Sequence, residues 1–329
     1  MDYGVRRMRT QFTTVDAQSL FIAKTMDDQR NFRSSYYEKV GFRSVEEKKS
    51  LEMLLRDRPF DKAKLKQFCL RFTVPAIYRN FLWKILLDVI PPLEESHKFV
   101  MTQRTIEFND LQRALKVVNT IDETTKPSEI FLLMWLLKNR RSKIDIRSQL
   151  ETPMLRSMNK MAVSLWNISE DLEEDERLVN VYWILSGFIE QVQKFSNEIG
   201  RLQECTYTML EREDKELYNH LKNTSALQTL PFDVWFMSCF AGIISDGSIT
   251  KIWDKITVGA CRILIFVAIA MLTTLKRCII SQCQNTDQVV EVINHITEET
   301  SEVIVNKAIE CWQQSGSVML QNQNTLPHS

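Results

Sequence analysis

The sequence predicts an all-α protein. Apolar residues recur every three or four positions over most of the chain, which is the spacing of a buried helix face. Glycine and proline number only 8 each in 329 residues, whereas the turns of an all-β fold depend on these two residues. No long stretch alternates apolar and polar residues as a half-buried strand does.

The composition is that of an ordinary globular protein. Apolar residues make up 44% and charged residues 26% of the chain, and its length allows one large domain with a full core. Lysine plus arginine and aspartate plus glutamate both number 42, so the net charge is zero. A dedicated nucleic-acid-binding protein carries a basic excess, and we therefore expect no nucleic-acid partner.

The cysteines and histidines predict neither disulfides nor a metal site. Seven cysteines occur, none in a Cys-x-x-Cys pair, and the four histidines lack zinc-ligand spacing. An odd cysteine count without a visible secretory signal is typical of reduced thiols in the cytoplasm. The sequence has no phosphate-binding loop, nucleophile elbow or zinc-protease helix motif. We therefore expect no cofactor and no metal.

The chain begins with an unpatterned extension. Residues 1–30 are polar and aperiodic, so we expect them to be disordered, with Met26 as an alternative start. Ser44 and Glu47 then form a capping-box pattern. This pattern predicts a helix with one apolar face, formed by Leu51, Leu54 and Leu55.

Three further helices are predicted in the first half. The middle one starts at Pro75, bears Arg79 and Trp83, and ends by the proline pair at residues 91–92. The helices before and after it each have an apolar face at helical spacing. These faces are Leu65, Phe68, Cys69 and Phe72 in the first case and Leu111, Ala114, Leu115 and Val118 in the second.

The middle of the chain is predicted to contain a long loop and then a clear helix. Residues 122–153 combine a short apolar patch with a basic run, and long loops in compact domains are often functional. The basic run is Lys138, Arg140, Arg141, Lys143 and Arg147. An acidic cluster at residues 170–176 then suits the start of a helix. That helix has an apolar face of Leu178, Val181, Tyr182, Leu185, Ile189 and Val192.

The second half of the chain holds its densest apolar sequence, at residues 230–275, which we expect to form a core. The run from Ile263 to Leu275 is shorter than the roughly 20 residues that cross a bilayer, so it predicts a buried helix and no transmembrane segment. A last helix is predicted with Ile304, Ala308, Cys311 and Trp312 on one face. Residues 315–329 are expected to form a flexible polar tail.

Arg79 and Trp83 lie four positions apart, on one face of a predicted helix. By themselves they predict an arginine stacked over an indole, a stabilising cation–π contact. The pair alone is a weak indicator of function.

Several motifs taken in order resemble the TBC domain of Rab GTPase-activating proteins. The set begins with Arg79-Asn80-Phe81-Leu82-Trp83, continues with Val181-Tyr182-Trp183-Ile184 and closes with Ile252-Trp253-Asp254. The resemblance covers residues from about 50 to 315. It implies a TBC-type helical domain with two helical halves, which we place at residues 31–314. It also implies that five residues hold the fold: Arg79, Trp83, Trp183, Trp253 and Asp254.

The two catalytic motifs of such a domain are absent. Catalytic TBC domains insert an arginine from Ile-x-x-Asp-x-x-Arg and a glutamine from Tyr-x-Gln, yet no tyrosine here has a glutamine two positions later. Two arginine patterns come near the motif: Ile144-Asp145-Ile146-Arg147 has compressed spacing, and Asp110…Arg113 lacks an isoleucine or leucine three residues before the aspartate. We therefore expect no catalytic residue. The alternatives are a Rab GTPase-activating protein with Arg147 as a displaced finger, and a passive Rab effector.

An N-terminal stretch narrows the resemblance to one branch of the family, a subunit of the tuberous sclerosis complex. The stretch includes Gln29-Arg30-Asn31-Phe32-Arg33. This branch implies binding to the coiled coil of hamartin and, through it, to tuberin, whose activity toward Rheb restrains mTOR complex one. Small GTPases of the Rab class are further candidate partners. A cytoplasmic protein recruited to lysosomal or vesicle membranes by its partners is expected.

Overall fold

The protein is all-α, as predicted. A computed structural model describes residues 45–139 and 146–321, and these residues form sixteen α-helices and no β-strand. The extension at residues 1–30, the cap at Ser44 and the basic residues Arg140, Arg141 and Lys143 lie outside the described residues.

The helices fall into three consecutive groups. The first is α1 (Val45–Arg56), α2 (Lys62–Arg71) and α3 (Ala76–Leu86). The second is α4 (His97–Val117), α5 (Pro127–Lys138), α6 (Pro153–Asn167) and α7 (Glu174–Phe195). The third is α8 (Ile199–Glu213), α9 (Lys215–Asn223), α10 (Ala226–Thr229), α11 (Phe232–Met237), α12 (Asp246–Ile256), α13 (Ile263–Thr274), α14 (Lys276–Gln282), α15 (Thr286–Asn294) and α16 (Glu298–Gln321).

Two hydrophobic cores of unequal size hold these helices. The smaller core is built by α1, α2 and α3 around Leu51, Leu65 and Leu82. The larger core is built by the helices that follow, together with Trp83 of α3. Helix α12 joins them, because it packs on α2 as well as on α6, α13 and α16. The residues that α12 presents to the first group therefore decide how the two cores meet.

The most apolar helix, α13, lies inside the larger core. All its residues from Ile263 to Leu272 are buried, and it packs mainly against α16 and α8. Among the described residues, no single helix is long and apolar enough to cross a membrane. The pair α13 and α14 meets that test of length and composition only jointly, with a bend of 56° between the two helices. The predicted buried helix is confirmed.

The prediction of a long loop at residues 122–153 is wrong for its central part. Helix α5 occupies Pro127–Lys138, and residues 131–136 are all buried. Because this helix is apolar on every side, it shows no one-sided periodicity, and its sequence does not distinguish it from an irregular buried segment.

Two other expectations differ from the structure. Of the face predicted on α4, Leu115 is buried but Ala114 and Val118 are exposed. Helix α16 continues to Gln321, so the tail boundary predicted at residue 314 lies inside a helix. The predicted apolar face of α16 is buried at Ile304 and Ala308.

Candidate functional site

Asp254 is the centre of a buried polar cluster between α12 and the start of α3. Its carboxylate is fully buried and accepts four hydrogen bonds. Arg79 donates from Nε to Oδ1 at 3.0 Å and from Nη2 to Oδ2 at 3.3 Å. Trp83 donates from Nε1 to Oδ1 at 2.9 Å, and the backbone N–H of Val74 donates to Oδ2 at 3.2 Å.

The local sequence explains this arrangement. Pro75 is the N-cap of α3, and its extended backbone turns the chain from α2 into the helix. The four-residue spacing on α3 then places Arg79 and Trp83 on the face toward α12. Arg79 also donates from Nη2 to the carbonyl oxygen of Val74 at 2.5 Å. The cation–π contact predicted for this pair is therefore replaced by a shared acceptor, Asp254, which is distant in sequence.

Lys255 is a second buried charge beside Asp254. Its side chain is fully buried, and its Nζ donates to the backbone carbonyls of Cys69 and of Phe72, the latter at 2.5 Å. These carbonyls belong to the end of α2, where a helix lacks internal donors and a cation is favourable. Burial, together with the nearby Asp254 carboxylate, raises the pKa of the Cys69 thiol to about 12, so this thiol is unreactive. Two adjacent residues of α12 thus bind the whole turn from α2 to α3.

An aromatic cluster lies directly under these charges. The ring centroids of Trp83 and Phe188 are 5.2 Å apart, those of Phe188 and Trp253 are 5.3 Å apart, and those of Trp83 and Trp253 are 6.2 Å apart. Trp253 donates from Nε1 to the carbonyl oxygen of Cys239 at 3.1 Å. Two of the predicted tryptophans therefore pack together, with one indole N–H directed to Asp254 and the other to the turn after α11.

Trp183 belongs to a different cluster, between α4, α5 and α7. The guanidinium of Arg104 and the ammonium of Lys138 each lie 4.0 Å from its ring centroid. Its Nε1 donates to the carbonyl oxygen of Arg104 at 3.1 Å. The structure thus brings four of the five predicted signature residues together and holds the fifth elsewhere in the core.

Arg147, the candidate displaced finger, is bound to the connection between α4 and α5. It is exposed, and it donates from Nε to the carbonyl oxygen of Thr120 at 2.7 Å and from Nη2 to Oγ1 of Thr125 at 3.3 Å. The carboxylate of Asp122 faces the same turn and accepts hydrogen bonds from Thr124 and Thr125.

A cleft of about 720 Å³ opens beside the Asp254 cluster. It is bounded by α3, by the connection from α6 to α7, by α7 and by the start of α12. This volume falls within the range of small-molecule sites. Among the described residues, no group of three or more His, Cys, Asp or Glu side chains could hold a metal ion.

Comparison with known proteins decides the family. Residues 155–280 match the model of the Rab-GTPase-TBC domain. The chain is 39% identical over 289 residues to TBC1 domain family member 7 of Bos taurus, an alignment that covers 88% of this chain and 96% of that protein. The chain belongs to the TBC domain family. This TBC chain is also 40% identical to TBC1 domain family member 7 of Danio rerio, over 87% of its own length and 95% of the relative.

Solved structures show the same fold at low sequence identity. The Ypt/Rab-GAP domain of Gyp1p aligns with a TM-score of 0.55 and 15% identity, over 82% of this chain and 98% of that domain. The Chlamydomonas flagellar RabGAP TBC domain aligns with a TM-score of 0.51 and 14% identity, over 87% and 93% of the two chains. The resemblance that the motifs indicated is thereby confirmed.

Sequence reasoning missed Lys255 and the backbone of Val74. Lys255 follows Asp254 directly. A lysine inside an apolar helix pattern is a signal that could have indicated a buried charge. Val74 contributes only backbone atoms, and no side-chain pattern indicates them.

Proposed function

We propose that this TBC chain is a non-catalytic subunit that binds the coiled coil of hamartin and stabilises the tuberous sclerosis complex. In that role it supports the activity of tuberin toward Rheb and the restraint of mTOR complex one. Two facts from the sequence support the proposal: its relatives are named TBC1 domain family member 7, and both catalytic motifs of the family are absent. We propose that Arg79, Trp83, Trp183, Trp253 and Asp254 hold the fold and have no role in catalysis.

The observation that carries the proposal is an apolar stripe on the solvent side of α4. Phe99, Ile106 and Val117 are 68%, 49% and 75% exposed. They follow one another at intervals of seven and eleven residues, which are about two and three turns of a helix with about 3.6 residues per turn. The three side chains therefore lie along one line of the helix. Single exposed apolar residues are normal, and contiguous apolar patches indicate binding surfaces. Here Phe99 and Ile106 are about two turns apart. The exposed ion pair of Asp110 and Arg113 lies between Ile106 and Val117.

The opposite side of the same helix is buried. Phe108 and Leu115 are 3% and 1% exposed and face the larger core. Helix α4 is therefore fixed on the domain by one apolar face and presents a second apolar line to solvent. A shallow cavity of about 400 Å³ runs beside that line and is lined by Gln103, Ile106, Glu107, Asp110, Leu111 and Ala114.

This geometry suits a partner helix. A helix that packs lengthwise on another presents apolar residues at intervals of three, four and seven, which is the repeat of coiled-coil sequences. The interval of seven residues between Phe99 and Ile106 matches this repeat, whereas Val117 follows Ile106 after eleven residues. Binding through a partner coiled coil requires no cofactor and no catalytic residue from this chain. Recruitment from the cytoplasm to lysosomal or vesicle membranes would then follow from its partners.

The test is binding of the purified chain to a purified hamartin coiled-coil fragment, measured by calorimetry. The wild-type chain should bind with a dissociation constant of micromolar or lower. Phe99→Ser combined with Ile106→Ser should weaken binding at least about tenfold, since buried aromatic and aliphatic anchors dominate such interfaces.

The matched control is Met53→Ser combined with Val303→Ser, which changes two side chains of similar exposure, 66% and 55%, on other helices. This control should bind as the wild type does. Absence of wild-type binding at micromolar concentration contradicts the proposed partner, and equal loss in both variants contradicts the α4 surface.

A further inference from the structure

The cleft beside Asp254 combines an apolar floor with an acidic rim. Its floor is formed by Ile77, Leu165, Ile168, Leu172, Val181 and Ile184. Ile77 is 65% exposed although it lies on a helix that is buried on its other side. The cleft therefore leaves apolar surface open to solvent at a concave position, where a ligand can cover it.

The rim carries carboxylates that form no salt bridge with the described residues. Glu170, Asp171 and Asp246 line the cleft, and Glu298 lies close to Gly247 at the same edge. Asp246 accepts a hydrogen bond from Nδ2 of Asn167 at 2.8 Å. Within the described part of the chain, neither Glu170 nor Asp171 forms a salt bridge.

Among the described residues that line the cleft, no free cation balances this rim. Arg79 lines the cleft, but its guanidinium is bound to the Asp254 carboxylate and to the Val74 carbonyl. The cleft therefore offers a net negative rim around an apolar floor. The complementary ligand is a peptide segment that alternates apolar side chains with arginine or lysine.

The chain itself contains a segment of this composition outside the described residues. Residues 3–9 read Tyr-Gly-Val-Arg-Arg-Met-Arg, with three arginines, three larger apolar side chains and no acid. We propose that residues 3–9 bind in the cleft of the same molecule, with the apolar side chains on the floor and the arginines against Glu170 and Asp171.

The connection is long enough for this contact. Thirty-five residues, 10–44, separate Arg9 from the first described residue, Val45, and such a length spans up to about 120 Å when extended. Helix α1, which begins at Val45, packs in the same small core as Tyr78 and Phe81 of α3. The first described helix is therefore one element away from the cleft, whose wall is the opposite side of α3.

The consequence is competition for the cleft. While residues 3–9 occupy it, any other basic apolar segment must compete with a ligand at the high effective concentration that tethering gives. This inference is independent of the α4 surface and of hamartin.

The experiment uses a fluorescent peptide of residues 1–12 and the full chain, measured by fluorescence anisotropy. In one full-chain variant the segment is disabled by Arg6→Glu, Arg7→Glu and Arg9→Glu. The peptide should bind this variant and should bind the wild-type chain at least about tenfold more weakly, because the wild-type segment competes in cis. Rising salt should weaken binding, as the contacts are charged and exposed.

Charge reversal on the rim, introduced into the triple variant, tests whether the peptide binds in this cleft. Glu170→Lys combined with Asp171→Lys should abolish peptide binding, while Glu204→Lys combined with Glu211→Lys on α8, also exposed acids, should leave it unchanged. Ile77→Ser tests the floor against Met53→Ser, a residue of matched exposure at 65% and 66%. Circular dichroism establishes that each variant is folded.

Three outcomes overturn the inference. The peptide fails to bind the triple variant, or it binds wild type and triple variant equally, which would mean that the cleft takes a segment from another molecule. In the third outcome, the rim and floor variants bind the peptide as strongly as their control variants do.

Discussion

Asp254 connects α12 to the start of α3 through four hydrogen bonds. Its carboxylate lies on α12, and three of its four donors come from side chains of α3 while the fourth is the backbone of Val74. Removal of one partner from a buried ion pair leaves the other charge without compensation, which costs about 3–5 kcal/mol.

We therefore expect Asp254→Ala to lower the free energy of unfolding by about 3–5 kcal/mol, because it leaves Arg79 and the Trp83 N–H without an acceptor. Urea denaturation followed by tryptophan fluorescence measures this change. The control is Asp233→Ala, which removes an exposed carboxylate near the start of α11. A loss for Asp254→Ala as small as that for the control would contradict the fold-holding role.

The lowered pKa of Asp214 predicts that the stability of the third helical group falls at acid pH. Burial opposes its ionisation, yet the N–H of Leu217 and the ammonium of Lys276 outweigh this, so the pKa of Asp214 lies below its ordinary value. A carboxyl with a lowered folded-state pKa contributes stability above the unfolded-state pKa, about 3.9, and loses it as pH falls through the folded-state value.

Asp214→Asn should therefore flatten the fall in unfolding free energy below about pH 4, since asparagine retains a helix-capping side chain without titrating. Urea midpoints at a series of pH values between about 2 and 7 provide the measurement. Lys276→Gln should reduce the same slope in part, because it removes one cause of the shift. If both variants leave the slope of unfolding free energy against pH unchanged, the titration of Asp214 is not a cause of the acid sensitivity.

At the scale of elements, one glycine sets the approach of α7 to the end of α3. A Cβ added at Gly187 would lie 2.7 Å from the Cβ of Leu87, closer than real side chains come. Gly200 on α8 has no atom within 4 Å of such a Cβ. Both glycines lie in helices, but only Gly200 has room for a Cβ atom.

Gly187→Ala and Gly200→Ala should consequently change stability in opposite directions. The first should destabilise by about 1–3 kcal/mol because the helix must move away from residue 87. The second should stabilise by about 0.5–1 kcal/mol because alanine loses less backbone entropy than glycine in a helix. Thermal and urea unfolding test both, and a loss of similar size in both variants would show that packing at Gly187 is not special.

The turn between α11 and α12 is a second element-scale feature. Cys239 and Phe240 both have positive φ angles, 48° and 63°, and both are fully buried. Such conformations are costly for residues with a Cβ and persist only where neighbours hold them. The hydrogen bond from Trp253 to the Cys239 carbonyl holds this turn against α12. The Trp-Asp signature therefore fixes one turn with its indole and another with its carboxylate.

For the whole molecule, the location of Arg147 bears on catalysis. An arginine finger raises GTP hydrolysis about 10³–10⁵-fold when it reaches the transferring phosphate. Arg147 instead binds the connection between α4 and α5, and the sequence contains no Tyr-x-Gln motif to supply a glutamine.

We expect the purified chain to leave the GTP hydrolysis rate of a Rab panel unchanged, with Arg147→Ala indistinguishable from wild type. Single-turnover phosphate release measures both. Acceleration by the wild type that Arg147→Ala abolishes would establish the alternative of a displaced finger. Nucleotide-dependent binding to a Rab without acceleration would instead favour a passive effector.

The features of this protein that could be predicted are those that depend on local sequence patterns. The buried faces of α2 and α7 follow from spacing, because a helix repeats about every 3.6 residues. The fully buried helix α13 follows from its long uninterrupted apolar run. Helix α5 was missed because it too is apolar on all sides, while its apolar run is shorter than that of α13 and is followed by a basic run. The exposed stripe on α4 was missed because its apolar residues are interleaved with those of the buried face, and spacing does not say which face meets the core.

The sequence by itself determined the helical class, the TBC family and the absence of the two catalytic motifs, since each depends on residues close together in the chain. The tertiary structure alone decided that Arg79, Trp83 and Asp254 form one cluster, that Lys255 caps α2, and that α4 and the cleft present apolar surface to solvent. These features join residues up to 186 positions apart. Contacts at such separation depend on how the helices pack, which no local pattern encodes.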